Sequence, residues 1–469
     1  MKKDSIHVVM VPWLAFGHLQ PFFQLSIALS KEKVHVSFLS TPRNIKRLPK
    51  LPPNLEPLVN LVEFPLPSLD DKSLLPKDAE ATLDIPADKV QYLTVAYDLL
   101  QQPIKHFITR EKPDWIIVDF SPYWIAEIAR DLDIPMLQFS MFTAATLLFF
   151  GQLDHEGQEE PKPLHELLLS PPPCGDFKST VAYKKYEVAE LFAAIAAENA
   201  SGKSSMEREA IMGKASRAMA LRTCAEFENE YLVSPRNYKK PLIPIGLLLP
   251  GELPVGENDL ALPQWQKMSK WLDEQKPRSV VFVGFGSECR FTKNQVYEIA
   301  NGLQLSELPF FWILQKPSWA LNDVDALPSG FGAATEGRGF VHIGWAPQKE
   351  ILAHPSIGGS LFHAGWGSAI ETLRYGHVLV VLPFVFDQGL NARLLVEKGV
   401  AIEVKRNEED GSFSGKDIAM SLREAMVLEE GEELRARARK AAAIFGDRKL
   451  QDSYVRNFVE YLKSNGNLR

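Results

Sequence analysis

Cysteine is scarce in this chain of 469 residues: Cys174, Cys224 and Cys289 are the only ones, and they lie far apart. A disulfide framework or a structural zinc site would need more cysteines, or cysteines and histidines at short spacings. No His, Cys and Asp residues are clustered in the sequence with ligand spacing. We therefore expect a protein of a reducing compartment that holds no metal.

Long apolar runs are also missing. No uninterrupted run approaches the length of about 18 residues that a membrane-spanning helix needs, and the richest stretch, 134–150, is broken by Pro, Gln, Ser and Thr. The N-terminus, MKKDSIHVVMVPWLAF, has lysines ahead of an apolar run, as a signal peptide does. However, His7, Pro12 and the lack of a small-residue cleavage site favour a buried strand. We expect no transmembrane segment and a soluble, cytoplasmic protein.

The chain also lacks an excess of basic residues. Lys and Arg number 52 against 59 Asp and Glu, which gives a formal net charge of −7. A general nucleic-acid binder would need a basic face, so this class of partner is not expected. At 45% hydrophobic residues, the chain is long and apolar enough for two domains with separate cores.

Short apolar runs alternate with segments of helical periodicity in both halves of the chain. This alternation predicts right-handed βαβ units and an α/β fold of two doubly wound parallel sheets. We read residues 43–88 as loops with one short strand, and residues 90–109 as a single helix. The strands are predicted at 6–11, 34–39, 61–64, 115–119, 135–139, 218–223, 279–283, 310–314, 360–362, 378–382 and 401–404. The other helices are predicted at 21–31, 122–130, 187–197, 206–213, 263–274, 293–305, 418–427, 433–444 and 450–462.

Residues 345–388 form the most informative stretch of the sequence. Trp345 offers a flat face on which a base can stack, and Glu371 carries a carboxylate suited to a ribose diol. Between them, a strand-like run leads through His363 into the turn Gly365-Trp366-Gly367-Ser368 at the start of a helix, where backbone N–H groups favour an anion. By themselves, Trp345 fits a core residue and His363 a buried histidine with satisfied hydrogen bonds.

His18 and Asp119 each follow a predicted strand, at the carboxyl edge where doubly wound sheets bind ligands. If they meet, the carboxylate fixes the imidazole tautomer and leaves the other ring nitrogen as a base. Two plainer interpretations remain open from the residues alone. His18 is then a loop histidine with no task, and Asp119 is the N-cap of the helix that follows.

The whole stretch, WAPQKEILAHPSIGGSLFHAGWGSAIETLRYGHVLVVLPFVFDQ, resembles the signature motif of the plant family 1 UDP-dependent glycosyltransferases, and the resemblance covers essentially the whole chain. The segments DQGLNARLL and STPRNIKRLP resemble the branch that adds a sugar to a sugar already on a glycoside. The family implies a GT-B fold, two Rossmann-like domains facing a cleft. Residues 1–246 would bind the acceptor, residues 247–449 the UDP-sugar, and helix 450–469 would return to the first domain.

The resemblance also implies roles for individual residues. His18 would be the catalytic base and Asp119 its partner, which reverses the two plainer interpretations. VGFGSE at 283–288 lacks GxGxxG spacing and gives no sign of NAD, but it matches a diphosphate turn of the family. The implied UDP-sugar site comprises Gly17, Thr143, Gly286, Ser287, Trp345, Ala346, Gln348, His363, Gly365, Trp366, Gly367, Ser368, Glu371, Asp387 and Gln388. The acceptor site would include Trp13, Phe16, Phe386 and the loop 79–86.

Three positions depart from the family pattern: Ala364 stands where Cys is usual, Gly367 where Asn is usual, and Val378 where Pro is common. The Asn side chain touches the diphosphate in relatives, whereas Gly367 offers only its N–H. A hydrogen bond to a charged group is worth roughly 1.5–3 kcal/mol, so we expect weaker donor binding unless backbone groups compensate.

A sugar hydroxyl needs a general base to attack at neutral pH, and the carboxylate pair of a retaining glycosidase is not evident. With the resemblance, this predicts direct displacement with inversion, in which an α-linked UDP-sugar gives a β-glycoside. We expect transfer of glucose to a sugar hydroxyl of a terpenoid or flavonoid glycoside by a monomeric enzyme without cofactor. The alternatives are UDP-rhamnose or UDP-xylose as donor, an aglycone as acceptor, or a UDP-sugar-binding protein without turnover.

Overall fold

The computed structural model describes residues 6–71, 73–152, 163–174, 177–233, 240–249 and 263–466. The chain divides into two compact units. Unit 1 comprises Met1–Ala144, Leu191–Leu253 and Arg448–Arg469, and unit 2 comprises Ala145–Glu190 and Pro254–Asp447. Residues 250–262, which follow the expected domain boundary between residues 246 and 247, lie outside the described residues.

Unit 1 is built on a sheet of seven strands in the order β3-β2-β1-β4-β5-β6-β7, and every pair is parallel. The inner strands are buried on both faces, as expected where helices cover a parallel sheet. Both faces of the central strand β1 are used, Val8 and Met10 in one core cluster and Val9 and Val11 in another. The strands are β1 His7–Val11, β2 His35–Ser40, β3 Val59–Glu63, β4 Trp115–Val118, β5 Met136–Ser140, β6 Ala218–Leu221 and β7 Leu242–Pro244.

Unit 2 repeats this architecture with six parallel strands in the order β10-β9-β8-β11-β12-β13. Its strands are β8 Val280–Gly284, β9 Phe310–Leu314, β10 Gly339–Ile343, β11 Ile357–Phe362, β12 Val378–Val381 and β13 Ala401–Glu403. In both sheets the first strand pairs with the second on one side and with the fourth on the other. The predicted α/β fold of two doubly wound parallel sheets is therefore confirmed.

Helices connect the strands in both units. In unit 1 they are Phe16–Lys31, Pro42–Arg47, Val90–Asp98, Gln101–Glu111, Ile125–Asp131, Ser205–Ala215, Ala225–Leu232 and Arg448–Asn465. In unit 2 they are Leu164–Leu168, Pro263–Asp273, Lys293–Ser306, Phe331–Ala334, Gln348–Ala353, Trp366–Leu373, Gln388–Glu397, Gly415–Met426 and Glu432–Phe445. The chain passes from unit 1 to unit 2 at the start of helix Ala144–Gly151 and returns to unit 1 within helix Lys185–Ile195.

The first helix begins earlier than predicted. Pro21 suggested a start at residue 21, but the helix runs over Phe16–Lys31 with Pro21 inside it. The backbone N–H groups of His18 and Leu19 both donate to the carbonyl of Ala15, so the helix is nucleated before the proline. His18 therefore lies in the first turn of a helix rather than in a loop.

Other differences concern short or interrupted elements. The predicted helix 90–109 is two helices, Val90–Asp98 and Gln101–Glu111. Pro103 in the second has no N–H to continue a helix from upstream. Within 43–88, read as loops, the structure has the helix Pro42–Arg47 and a 3₁₀ turn at Thr82–Asp84. Strand β10 was not predicted.

Residues 145–190 belong to unit 2, which differs from the expected first domain of residues 1–246. The reason is visible in their partners, since Thr180 and Glu187 bond to the helix Gln388–Glu397. The C-terminal helix belongs to unit 1, where Trp115 Nε1 donates to the carbonyl of Leu462 at 3.0 Å.

A test of this packing uses Gly358 in β11, where an added Cβ would collide with the backbone carbonyl of Arg278. Because backbone cannot yield as a side chain can, we expect Gly358→Ala to lower the free energy of unfolding by about 1–3 kcal/mol or more. Gly332 in helix Phe331–Ala334 has no neighbour within 4 Å of an added Cβ. Gly332→Ala is the control and should be neutral or slightly stabilising in urea denaturation. Equal stability of the two variants would contradict the register of β8 and β11.

Candidate active site

His18 and Asp119 lie at the point in the first sheet where the winding reverses. His18 follows β1 and Asp119 follows β4, and these strands are hydrogen-bonded neighbours. Strands β1 and β4 lead their crossovers to opposite sides of the sheet, which opens a crevice at their carboxyl ends. The topology therefore explains why two residues 101 positions apart meet.

The two side chains form a direct hydrogen bond. His18 Nδ1 lies 2.8 Å from Asp119 Oδ2, and the side chains are 23% and 4% exposed. The same carboxylate accepts the backbone N–H groups of Trp13, at 2.9 Å, and Phe120, at 2.8 Å. Because Asp119 Oδ2 is also the acceptor for a backbone N–H group, we assign the proton of this hydrogen bond to His18 Nδ1.

This geometry decides between the interpretations of Asp119. The helix that follows β4 starts at Ile125 with Trp124 as its N-cap residue, so Asp119 does not cap it. Its oxygens are directed to the imidazole and to two backbone N–H groups instead. His18 is correspondingly a paired histidine and not an isolated one.

Aromatic side chains surround the pair. The His18 and Phe120 rings lie 5.7 Å apart, and Trp13 packs edge-on against Phe120 and Tyr97. The Tyr97 hydroxyl donates to the carbonyl of Pro12 at 2.8 Å, which holds the loop after β1. This apolar wall places low-dielectric material on one side of the imidazole.

Sequence analysis did not identify Arg208, which supports the loop after β4. Its fully buried guanidinium donates to the carbonyl of Ser121 at 2.7 Å and pairs with Asp98. Asp98 also accepts from Trp124 Nε1 at 3.1 Å. No local pattern marks Arg208, because Asp98 and Ser121 lie 110 and 87 positions away in the sequence.

Glu209, the next residue, was also missed. Burial raises the pKa of its carboxyl to about 7, with a further rise from the charge of Asp119, while a hydrogen bond from Gln138 opposes the shift. Gln138 Nε2 donates to it at 2.8 Å. This buried acid is a third titratable group in the electrostatic environment of His18 and Asp119.

The second sheet places glycine turns at its own reversal point. Gly286 and Ser287 form a turn after β8, and His363 follows the neighbouring strand β11. The imidazole lies between two glycines, because an added Cβ would come within 3.0 Å of it at Gly286 and 2.5 Å at Gly365. Gly286 also has φ +72°, a conformation that favours glycine.

His363 is neutral at physiological pH. Burial lowers the pKa of its imidazole to about 4. Its Nδ1 is buried and has no hydrogen-bond partner among the residues that the structure describes. A buried, unpaired polar atom between two glycine turns marks a place where a ligand can supply the missing partner.

The helix Trp366–Leu373 starts next to this imidazole. Its N-cap is Gly365, and the first intrahelical bond runs from Ala369 to Gly365, so the N–H groups of Gly367 and Ser368 belong to the unbonded first turn. These N–H groups lie at the positive end of the helix dipole, and both features favour the binding of an anion. Ala364, just before it, adopts the left-handed conformation with φ +62°.

The side chain of Trp366, an expected sugar contact, is buried. Its side chain lies in the core of unit 2, edge-on to Phe445 with 6.2 Å between ring centroids, and the residue is 4% exposed. The indole is held between helix Trp366–Leu373 and helix Glu432–Phe445. Only the backbone of Trp366 is therefore left for the expected sugar contact.

The indole of Trp345 shows the opposite behaviour. It is 63% exposed, which argues against the alternative that it is a core residue. His342 Nε2 bonds to the carbonyl of Trp345 at 2.8 Å, and Ala346 after it is buried. Gln348 Nε2 donates to Glu371 Oε2 at 3.0 Å, so the structure brings these two expected ribose contacts together.

The loop after β12 carries Asp387 and Gln388. Gln388 Oε1 accepts the N–H groups of Phe384 and Val385, at 3.0 and 3.1 Å, so its amide presents the NH₂ side as donor. Asn391, missed by sequence analysis, donates to Asp387 Oδ2 at 2.7 Å and to the carbonyl of Ala364 at 3.1 Å. Asn391 thus connects the loop that carries Asp387 to the glycine turn that follows Ala364.

The remaining expected residues are less clustered. Gly17 lies exposed in the first turn of helix Phe16–Lys31, and Thr143 is buried one residue before helix Ala144–Gly151. Phe16 is half-buried, whereas Phe386 is exposed. Segment 79–86 is packed rather than open, because Thr82 donates to the carbonyl of Leu14 at 3.0 Å and several of its apolar residues join the core beside Trp13.

Comparison with known proteins identifies relatives of this chain. Residues 247–434 match the family described as UDP-glucoronosyl and UDP-glucosyl transferase. The chain is 41% identical to UDP-glycosyltransferase 91C1 of Arabidopsis thaliana over 99% of this chain and 98% of that protein. It is 38% identical to the soyasaponin III rhamnosyltransferase of Glycine max over 98% of this chain and 95% of that protein.

The fold matches that of the crystal structure of Glycyrrhiza uralensis UGT73P12 complexed with glycyrrhetinic acid 3-O-monoglucuronide. The TM-score is 0.78 at 20% identity, with 98% of this chain and 96% of that chain covered. The chain belongs to the plant family 1 UDP-glycosyltransferases, enzymes of GT-B fold, as its signature stretch predicted. No helix in the described ranges is long and apolar enough to cross a membrane.

The depressed pKa of His363 predicts a pH dependence of stability. The folded pKa of about 4 lies below the ordinary value of 6.5, so the unfolded chain binds more protons between these values. Stability is fully present above pH 6.5 and is lost as the pH falls toward 4, by about 3 kcal/mol from this group. His363→Gln should flatten that slope in urea titrations between pH 7.5 and 4.5, whereas an unchanged slope would place the imidazole in a solvated setting.

Proposed function

We propose that this enzyme transfers glucose from UDP-glucose to a hydroxyl of a sugar already attached to a terpenoid or flavonoid glycoside, with inversion at the anomeric carbon. The observation that carries the proposal is the His18–Asp119 hydrogen bond at the reversal point of the first sheet. The proposal is also supported by residues along the carboxyl edge of the second sheet that are suited to bind an anion, a ribose and a sugar.

The donor would be held in the order of its parts. The exposed face of Trp345 stacks on uracil, and Gln348 and Glu371, already in contact with each other, bind the ribose hydroxyls. The diphosphate meets the N–H groups of Gly367 and Ser368, the Ser287 turn, and the unpaired Nδ1 of neutral His363. A neutral imidazole bonds the anion without the desolvation cost of a buried charge.

Gly367 lacks the side chain that relatives use, and the structure suggests how the site compensates. The first-turn N–H groups and the helix dipole supply donors that need no side chain. We infer that no metal is required, because these groups meet the negative charge that develops on the leaving UDP.

His18 would act as general base through Nε2. As the acceptor oxygen attacks the anomeric carbon, its proton moves to Nε2, and the imidazolium that forms is stabilised by Asp119. The new bond joins acceptor oxygen and anomeric carbon, while the bond from that carbon to the diphosphate oxygen breaks and UDP leaves with the electron pair. A single displacement of this kind inverts the configuration.

The donor sugar would be read by a complementary pair. Asp387 accepts hydrogen bonds and the Gln388 amide, whose oxygen is occupied by its own loop, donates them. Adjacent hydroxyls of glucose can satisfy both. The rhamnosyltransferase among the relatives makes UDP-rhamnose the alternative donor.

The first test replaces the base. His18→Ala should lower turnover by about 10²- to 10⁴-fold, the usual contribution of a general base, and should leave UDP affinity nearly unchanged in calorimetry because no UDP contact is removed. His106, exposed on helix Gln101–Glu111 of the same unit, supplies the control variant His106→Ala. Retained turnover in His18→Ala would rule out His18 as the base.

The second test concerns substrates. Purified enzyme with UDP-glucose is offered terpenoid and flavonoid aglycones in one pool and their monoglucosides in another, with His18→Ala as control. We expect mass spectrometry to show one added hexose mainly on the monoglucosides. Addition mainly to the aglycones would contradict the sugar-on-sugar assignment. Product with UDP-rhamnose alone would contradict the assigned donor.

A further inference from the structure

We propose that Tyr183 and the buried Glu187–Arg393 ion pair are positioning residues that hold the loop of Asp387 and Gln388 in the shape needed for the transferred sugar. They would therefore affect the sugar part of the donor and not its UDP part. This inference rests on the proposed function, in which Asp387 and Gln388 contact the sugar.

Residues 179–187 run along the helix Gln388–Glu397 within unit 2. At the far end of the helix, the N–H and hydroxyl of Thr180 donate to the Glu397 carboxylate at 2.6 and 3.0 Å. At the near end, Tyr183 reaches the loop that precedes the helix. The segment thus spans the helix from its C-terminal turn to its start.

The contact of Tyr183 is made at a strained residue. Phe386 is not glycine, yet it adopts φ +49°, a left-handed conformation that L residues rarely take. The Tyr183 hydroxyl donates to the carbonyl of Phe386 at 3.1 Å. Because this turn of the backbone directs the next residue, Asp387, the hydroxyl stabilises the conformation on which the direction of that carboxylate depends.

Tyr183 is well placed to remain a neutral donor. It is buried, and its ring packs edge-on against Phe149 with 5.3 Å between centroids. Burial raises the pKa of the hydroxyl well above its ordinary value, and the charge of Asp387 raises it further. The proton that bonds to Phe386 therefore stays in place at any pH at which the enzyme works.

The ion pair holds the other side of the loop. Arg393 Nη1 donates to the carbonyl of Gly389 at 2.6 Å, and Nη2 lies 2.6 Å from Glu187 Oε2. Glu187 also accepts the N–H of Lys184 at 2.7 Å. Asp387 and Gln388 consequently lie between two carbonyls, those of Phe386 and Gly389, that are each bonded to a buried side chain.

The charges around the pair are balanced. Glu403 lies 3.7 Å from Arg393 and accepts from Lys184 Nζ at 2.7 Å, so two acids face two bases. Arg393, Glu187 and Glu403 have little exposed side-chain surface, whereas Lys184 is 40% exposed, and we infer that the three former residues define geometry more than they add stability. The uracil, ribose and diphosphate contacts come from other strand ends, after β8, β10 and β11. Loosening residues 386–389 should therefore leave UDP binding intact.

The test removes one hydroxyl and keeps the ring. Tyr183→Phe should lower kcat/KM for UDP-glucose about three- to tenfold, the range expected for one hydrogen bond, while the inhibition constant of UDP stays within about twofold. Tyr186→Phe is the matched control, because the Tyr186 hydroxyl, three residues along, is buried without a hydrogen-bond partner in the described structure. It should leave both constants unchanged.

Two results would overturn the inference. One is wild-type kinetics in Tyr183→Phe, and the other is an equal loss of UDP affinity, which would indicate general loosening. Asp387→Asn separates this from failure of the proposed function. If Asp387→Asn weakens UDP-glucose but not UDP while Tyr183→Phe changes nothing, only the positioning role fails. If Asp387→Asn itself has no effect, the sugar assignment fails and the positioning role with it.

Discussion

In both sheets the direction of winding reverses between two neighbouring strands, β1 and β4 in the first and β8 and β11 in the second. At these points the connections leave on opposite faces, so the carboxyl ends of the strands are not covered by a shared crossover. Most groups in the proposed chemistry lie at the end of a strand on one of these edges or on the first turn of the element that follows, and Glu371 lies one turn further along helix Trp366–Leu373. The strand order is therefore the constraint on which the sites depend.

The two edges use different electrostatics. At the first edge, the nearly buried carboxylate of Asp119 accepts hydrogen bonds from the imidazole of His18 and from two backbone N–H groups. This arrangement favours a transient imidazolium. At the second, the histidine is held neutral by burial, and positive character comes from a helix start instead of a charged side chain. The proposed base and the proposed anion site need these opposite surroundings. Histidine can serve at both because the pKa of an imidazole follows its surroundings.

Local patterns in the sequence predicted the alternating fold and placed His18 and Asp119 at the same sheet edge, whereas their pairing was implied by the resemblance to the family. The sequence did not predict that His18 lies on a helix, since Pro21 imitates a helix start. The sequence also did not predict that Trp366 is buried against Phe445, because Phe445 lies 79 residues further along the chain.

Supporting residues were the hardest to foresee. Arg208 and Arg393 are buried cations whose acids lie 110 and 206 residues away, and nothing in the local sequence distinguishes them from surface arginines. The membership of residues 145–190 in unit 2 has the same origin. Contacts of this range follow from the completed fold, whereas capping, periodicity and turn chemistry act within a few residues.

The central claim is that one base activates the acceptor for a single displacement, with no enzyme nucleophile. The most direct measurement is the anomeric configuration of the transferred sugar, read by proton NMR from the coupling between its first two ring hydrogens in the purified product. The account predicts inversion relative to the donor, a β-glucoside from α-linked UDP-glucose. A product with the donor's configuration retained would exclude a single in-line displacement and would contradict the role assigned to His18.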